Sequence, residues 1–233
     1  MKLTTTISLI TATGLSAVAS ADITGFYHNT YSVTAADFDG SDVTVIVEDL
    51  YAMSNNSSDV LLNIYNFNAG SDAAGSYFQS FTGTGWQPTN LGGPFDTPAL
   101  RQIDSFVTIG GFEQGVAYPE QSPGAGAGTG LDPNFGGNNA AAPGPNAGWY
   151  NGSPPSLNGQ VGAIPDYASG LGVLVGRFAS SEGFFCLEGS TIDCTWNQGL
   201  GTPGQQASFT VIPAPGALAL FGLAAFGRHR RRA

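Results

Sequence analysis

"DVTVIVEDLYA" at residues 42–52 and "DVLLNIYNFNA" at residues 59–69 decide the fold. In the first, Val43, Val45 and Val47 share one face, and Thr44, Ile46 and Glu48 share the other. Successive strand side chains point to opposite sides, so a period of two built from β-branched residues reads as strand. In the second, Val60, Leu62 and Ile64 oppose Leu61, Asn63, Tyr65 and Phe67. "MSNNSSD" at 53–59 lies between them as a polar turn cluster, which predicts that the two strands pair as a hairpin.

Outward from this pair, strand signals recur at 75–83 ("GSYFQSFTG"), 101–111 ("RQIDSFVTIGG"), 171–180 ("LGVLVGRFAS", with Val173, Val175 and Phe178) and 206–212 ("QASFTVI"). No window of the body shows a 3.6-residue period, and no repeat of fixed length appears. Short strands between glycine-rich turns predict a mainly β chain: a single antiparallel β-sandwich or jelly-roll-like domain over residues 22–212. Residues 113–160 interrupt the pattern, because Gly, Pro, Asn and Ala dominate them. They read as a long loop region, either an ordered excursion pinned by Phe135, Trp149 and Tyr150 or a segment without fixed form.

Charge narrows the function classes. Charged residues make up 10% of the chain, against about a quarter in ordinary soluble domains. All 17 Asp and Glu fall between Asp22 and Asp193, where the only basic residues are Arg101 and Arg177. Such a body repels phosphate backbones, which argues against nucleic-acid binding.

Catalytic constellations are missing. His28 is the only histidine of the body, so a nucleophile has no obvious base and a zinc site no ligand set. Gly124, Gly126, Gly128 and Gly130 lack the spacing, the leading strand and the lysine of a phosphate loop. Asp37, Asp39 and Asp42 surround Gly40, and alternate oxygen ligands in a tight turn suit calcium, but Gly40 sits too early for the helix-loop-helix calcium loop and no glutamate falls at its twelfth position, so a solvated turn before the next strand is the better reading. Glu48, Glu113, Glu120, Glu182 and Glu188 are the glutamates from which a glycosidase pair could be assembled, and nothing in the sequence marks two of them as partners. Trp86, Trp149, Tyr150 and Trp196 stand near Gly, Asn and Pro, either as platforms for sugar rings or as plugs at the edge of a small core.

Cys186 and Cys194 flank "EGS", a turn-like cluster at 188–190. Across a hairpin they would face each other, and in an oxidising compartment they would join, worth about 2.5 kcal/mol for so small a loop. A buried unpaired couple and a metal site are the alternatives.

Both ends read as addresses. Met1–Lys2, an apolar stretch to Val18 and the A-x-A site ending at Ala21 form a secretory signal over 1–21, with Asp22 as the new first residue. At the other end, "IPAPGALALFGLAAFGRHRRRA" predicts a short apolar helix after Pro213 and Pro215, closed by Arg228, Arg230, Arg231 and Arg232. From Pro215 to Gly227 that helix would span roughly 20 Å, less than the roughly 30 Å hydrocarbon core. The arginines would hold its end on the cytoplasmic side, a transient or lasting hook in the inner membrane.

Pro-x-Pro, a short Ala/Gly/Leu-rich helix and a terminal arginine cluster resemble the PEP-CTERM sorting signal, a tail also called the ice-binding protein C-terminal domain. The resemblance covers residues 213–233 alone. Pro213 and Pro215 match the motif's prolines and Arg228 to Arg232 its basic end, while Ala214 stands where the family has glutamate. It implies export machinery and an exosortase-like processing enzyme as partners, and a host that makes extracellular polysaccharide. The sequence therefore predicts an exported, surface- or matrix-associated β-domain without a catalytic role. The alternative is a carbohydrate-binding module or polysaccharide-acting enzyme. No cofactor is expected beyond the calcium considered at Asp37, Asp39 and Asp42.

Overall fold

In the computed structural model the described residues are 22–70, 77–79, 85–87, 98–110, 128–164, 170–181 and 187–213. The signal segment at 1–21 and the tail beyond Pro213 lie outside them. Among the described residues no helix is long and apolar enough to cross a membrane.

The chain is mainly β, as the alternation predicts. Its elements are β1 (Ile23–Ala36), β2 (Asp42–Ser54), β3 (Val60–Asn68), α1 (Pro98–Ile103), β4 (Phe106–Val107), β5 (Thr129–Leu131), β6 (Ala147–Asn151), β7 (Gly162–Ala163), β8 (Leu171–Ser180), β9 (Thr191–Asn197) and β10 (Gln205–Pro213). They form one sheet in the order β4-β8-β2-β1-β10-β9-β3-β6-β5, with β7 also on β8. The sheet curls into a nearly closed barrel-like arrangement. Across the gap between its ends, the Trp149 indole donates to Thr108 O (3.1 Å) and Ile109 N to Thr129 Oγ1 (3.2 Å). At one rim, Leu61 N donates to Gly159 O and Val161 N to Asp59 O, stitching the start of β3 to the segment that leads into β7.

Every described ladder is antiparallel except β1 with β10, which run parallel through Phe26–Val211, Tyr27–Ile212 and His28–Pro213. This pair joins a first half-sheet (β4, β7, β8, β2, β1) to a second (β10, β9, β3, β6, β5).

The hairpin expected between residues 42–52 and 59–69 does not form. β2 pairs with β1 and β8, and β3 pairs with β9 and β6. The polar cluster between them does turn the chain: Ser54 Oγ donates to Asp59 Oδ2 (2.6 Å) and Asp59 N to Asn56 O (3.2 Å). It carries the chain from one half-sheet to the other. Both strands hold apolar residues on their inward sides, and opposing two such faces buries more apolar surface than placing them edge to edge. β2 makes its hairpin instead with β1, in register from Ala36–Asp42 to Gly25–Met53.

Aromatic side chains fill the interior. Phe67, Trp86, Phe135, Trp149 and Phe178 are fully buried, and Phe178 stacks on Phe67 with centroids 5.8 Å apart. Trp86 meets Phe135 and Tyr77 edge-on at 5.6 and 4.9 Å. The Trp86 indole donates to Ala140 O (2.8 Å), so the Trp86 and Trp149 donors are both met, whereas the buried Trp196 Nε1 has no hydrogen-bond partner among the described residues. The central region is thus an ordered excursion in its described part, 128–160. Phe135 and Trp149 pin it, and Asp132 Oδ1 accepts from both Phe135 N and Gly148 N. Its strand β6 escapes sequence reading because it is short and its inward residues are one small Ala147 and one large Trp149, with Gly148 between them.

The first half-sheet is sealed on its outer side as well. Tyr27 stacks on Tyr51 there (5.4 Å, 12°), beside Phe106, Ile164 and Leu174, and Ile103 of α1 covers Val45, Val47 and Ala179. Within this layer Arg177 forks onto Asp49, with Nε to Oδ1 at 2.7 Å and Nη2 to Oδ2 at 3.0 Å, and Tyr31 Oη donates to Asp49 Oδ2 (2.9 Å). Phe178→Ala should lower the unfolding free energy by about 3–5 kcal/mol, through lost burial and the cavity it leaves. Asp49→Ala should cost about the same, because it strands a buried guanidinium. Urea denaturation of each variant against the parent measures both.

Candidate functional site

The carboxylates considered for calcium form a turn and no cage. Asp37 Oδ1 accepts from Phe38 N, Asp39 Oδ1 accepts from Ser41 N (2.8 Å), and Asp42 is exposed at the start of β2. Gly40, at φ +83°, supplies the left-handed residue that closes this β1–β2 connection. Among the described residues no three His, Cys, Asp or Glu side chains converge to hold a metal. Of the three carboxylates considered for calcium, Asp37 and Asp39 turn an oxygen to the backbone of their own turn.

Of the expected Cys186–Cys194 pair, only Cys194 lies within the described residues. Both edges of β9 are taken, by β3 and β10, and Cys194 stands across from Ile64 and Ala207. Its thiol is free and fully buried in the core, and burial pushes it up to about 12, with Asp193 adding to the shift. Cys186 lies outside the described residues, as do Glu113, Glu120, Glu182, Ala21, Pro215, Arg228, Arg230, Arg231 and Arg232. Pro213 ends β10 opposite His28. Trp86, Trp149 and Trp196 are core residues and not sugar platforms.

Two features remain. The first is the outer face of the second half-sheet, which no described element covers. Its strands place side chains in transverse rows: Tyr150, Asn63, Thr195 and Gln206; then Tyr65, Asp193 and Ser208; then Asn68, Thr191 and Thr210. Their inward neighbours Ile64, Ile192, Cys194 and Trp196 are buried, so the period of two separates a dry side from a wet one. Asn66, at φ +50° in a bulge of β3, donates from Nδ2 to Asp193 Oδ2 (2.8 Å). Tyr150 is 45% exposed, and its ring packs closely on Gly130 of the neighbouring β5: a Cβ built there would sit 2.5 Å from Cζ. Glycine therefore lets the ring settle on the sheet and turn its free side to solvent.

The second feature is a buried acid near one end of the interior. Glu48 follows Val47 on β2 but points inward with Leu50 and Ala52, and it is fully buried. Its Oε2 accepts from Leu187 N (2.6 Å) and lies 3.7 Å from His28 Nδ1. Thr30 Oγ1 is 3.5 Å from Glu48 Oε1 and 3.2 Å from His28 Nδ1. Burial raises the Glu48 carboxyl to about 7, against the Leu187 and Thr30 hydrogen bonds, and Glu188 pushes it the same way. Burial lowers the His28 imidazole, while Glu188 opposes that. Of the five glutamates, the structure thus brings Glu48 and Glu188 into electrostatic contact. The sequence signal for Glu48 was a lone carboxylate in phase with Ile46, Leu50 and Ala52.

The signs of these two shifts differ. For Glu48 the folded value lies above the unfolded one, so its stabilising share is complete below pH 4.5 and is lost as pH rises through about 7. For His28 the folded value is depressed, so its share is complete above 6.5 and is lost on acidification. Glu48→Gln should therefore remove an alkaline loss of about 3 kcal/mol while leaving the acid limb in place. Denaturant midpoints measured from pH 4 to 9 on both proteins decide this; parallel profiles would refute it. Compared with known proteins, the chain matches no family model, no curated protein and no solved structure.

Proposed function

We propose that this chain is an exported, surface- or matrix-associated β-domain that acts by binding and not by catalysis, through the open face of its second half-sheet. One observation supports this reading above the others. The first half-sheet is covered on both sides, whereas no described element covers the polar outer face of the second, where Tyr150 packs on Gly130. The body begins at Asp22 after removal of the signal segment. The tail from Pro213, through its likeness to the PEP-CTERM signal, delivers the domain to an exosortase-like enzyme at the inner membrane.

Tyr150 also favours a second, more specific reading, in which the ligand is an extracellular polysaccharide. An exposed ring face suits the apolar side of a sugar, and Asn63, Thr195, Gln206 and Ser208 alternate donors and acceptors beside it. The face bears Asp193 and none of its rows contains Lys or Arg, so an uncharged glycan fits better than an anionic one.

Mass analysis of the exported protein should find Asp22 at the amino end and a shortened carboxyl end; an intact Met1–Ala233 chain would contradict the address. In calorimetry with neutral polysaccharides, Tyr150→Ala should weaken binding about five- to tenfold, near 1 kcal/mol, at an unchanged melting temperature. Gly130→Ala, which lifts the same ring, should weaken binding in the same direction. Binding that ignores both substitutions would remove the open face from the reading.

A further inference from the structure

Thr30 Oγ1 stands between two titratable groups, 3.2 Å from His28 Nδ1 and 3.5 Å from Glu48 Oε1. A hydroxyl carries one proton, so it donates to one neighbour and accepts from the other. Glu48 Oε2 already accepts from Leu187 N at 2.6 Å, which leaves Oε1 as the oxygen that carries the carboxyl proton. Only two arrangements use both Thr30 contacts. When Glu48 is protonated, its Oε1–H donates to Thr30 Oγ1, and the Thr30 hydroxyl donates to a bare Nδ1; the ring proton is then on Nε2. When Glu48 is ionised, Thr30 donates to Oε1, and Nδ1–H donates to Thr30; the ring proton is then on Nδ1.

We propose that Thr30 couples the ionisation of Glu48 to the tautomer of His28, so that the buried Nε2 changes from hydrogen-bond donor to acceptor as the carboxyl proton leaves. The proton balance closes with solvent. One proton departs from Glu48, and the imidazole keeps one proton throughout, exchanged from Nε2 to Nδ1. His28 is 6% exposed, and its Nε2 has no hydrogen-bond partner among the described residues, so that nitrogen is where the change of polarity appears.

Among the described residues the groups facing the relay are few. Glu188, from the turn after Leu187, raises both His28 and Glu48. Tyr77 packs in the same interior, is held above its ordinary value by burial and then by Glu48, and stays neutral. Asp49 and Arg177 neutralise each other on the opposite face of the sheet. Beside β1, the parallel β10 offers Val211 and Pro213, which do not titrate. Burial raises the Glu48 carboxyl to about 7 and lowers the His28 imidazole.

The full chain, labelled with 15N and carrying His229→Gln so that one imidazole remains, tests the coupling by ring-nitrogen NMR from pH 5 to 9. Expected are a protonated Nε2 on the acid side and a protonated Nδ1 on the alkaline side, with the midpoint of the Glu48 carboxyl signal. Thr30→Val, at an exposed strand position that tolerates a β-branched replacement, should leave Glu48 titrating and abolish the tautomer change; Thr30→Ser should restore it. A single tautomer throughout, a ring that gains a second proton at that midpoint, or a change that survives Thr30→Val would each overturn the proposal.

Discussion

Three backbone registers, Phe26 with Val211, Tyr27 with Ile212 and His28 with Pro213, join the first strand of the body to its last. The rest of the sheet depends on this seam. Without it, β1 and β10 would each present an open edge, and the two half-sheets would be joined only by their buried side chains and the few hydrogen bonds at the rim and across the gap. With it, ten strands become one curled surface. That surface wraps an interior dense in aromatic rings, where Phe178 meets Phe67, Tyr77 and Trp86. A small domain with so much glycine has few large side chains to bury, and concentrating them in one cluster is how it removes enough apolar area from water.

Enclosure gives the two half-sheets different characters. The first lies between the aromatic interior and an outer layer made by α1, Phe106 and Ile164, and it carries the Asp49–Arg177 pair inside that layer. Its strands are apolar or paired on both sides. The second meets the interior with Ile64, Ile192 and Cys194 and turns hydroxyls, amides and two tyrosines outward. A face that is regular, polar and without a cover among the described residues can contact a long, repeating partner without any pocket. The same inward alternation brings Glu48 under the Leu187 turn, where desolvation and not a neighbouring cation sets its ionisation.

The strands were legible where the period of two was clean. Residues 42–52, 59–69, 171–180 and 206–212 all lie in β2, β3, β8 and β10 or at their margins. Pairing was not legible. The turn at 53–59 has every local mark of a hairpin, and its hydrogen bonds do close a turn, yet the strands it connects belong to different halves. Cys194 shows the same limit: the cluster at 188–190 turns the chain, but β3 and β10 already hold both edges of β9.

By itself the sequence determined that the body is β and that its charge is acidic, and its apolar, proline and arginine order is what the proposed addresses at the two ends rest on. These follow from local quantities: side-chain alternation, composition and the order of apolar, proline and arginine residues. Only the tertiary structure decided which strands are neighbours, which face stays wet, and that His28, Thr30 and Glu48 meet. Those outcomes hang on registers such as Thr30 with Glu48 and Phe26 with Val211, set by burial across many residues of separation and invisible to any short window.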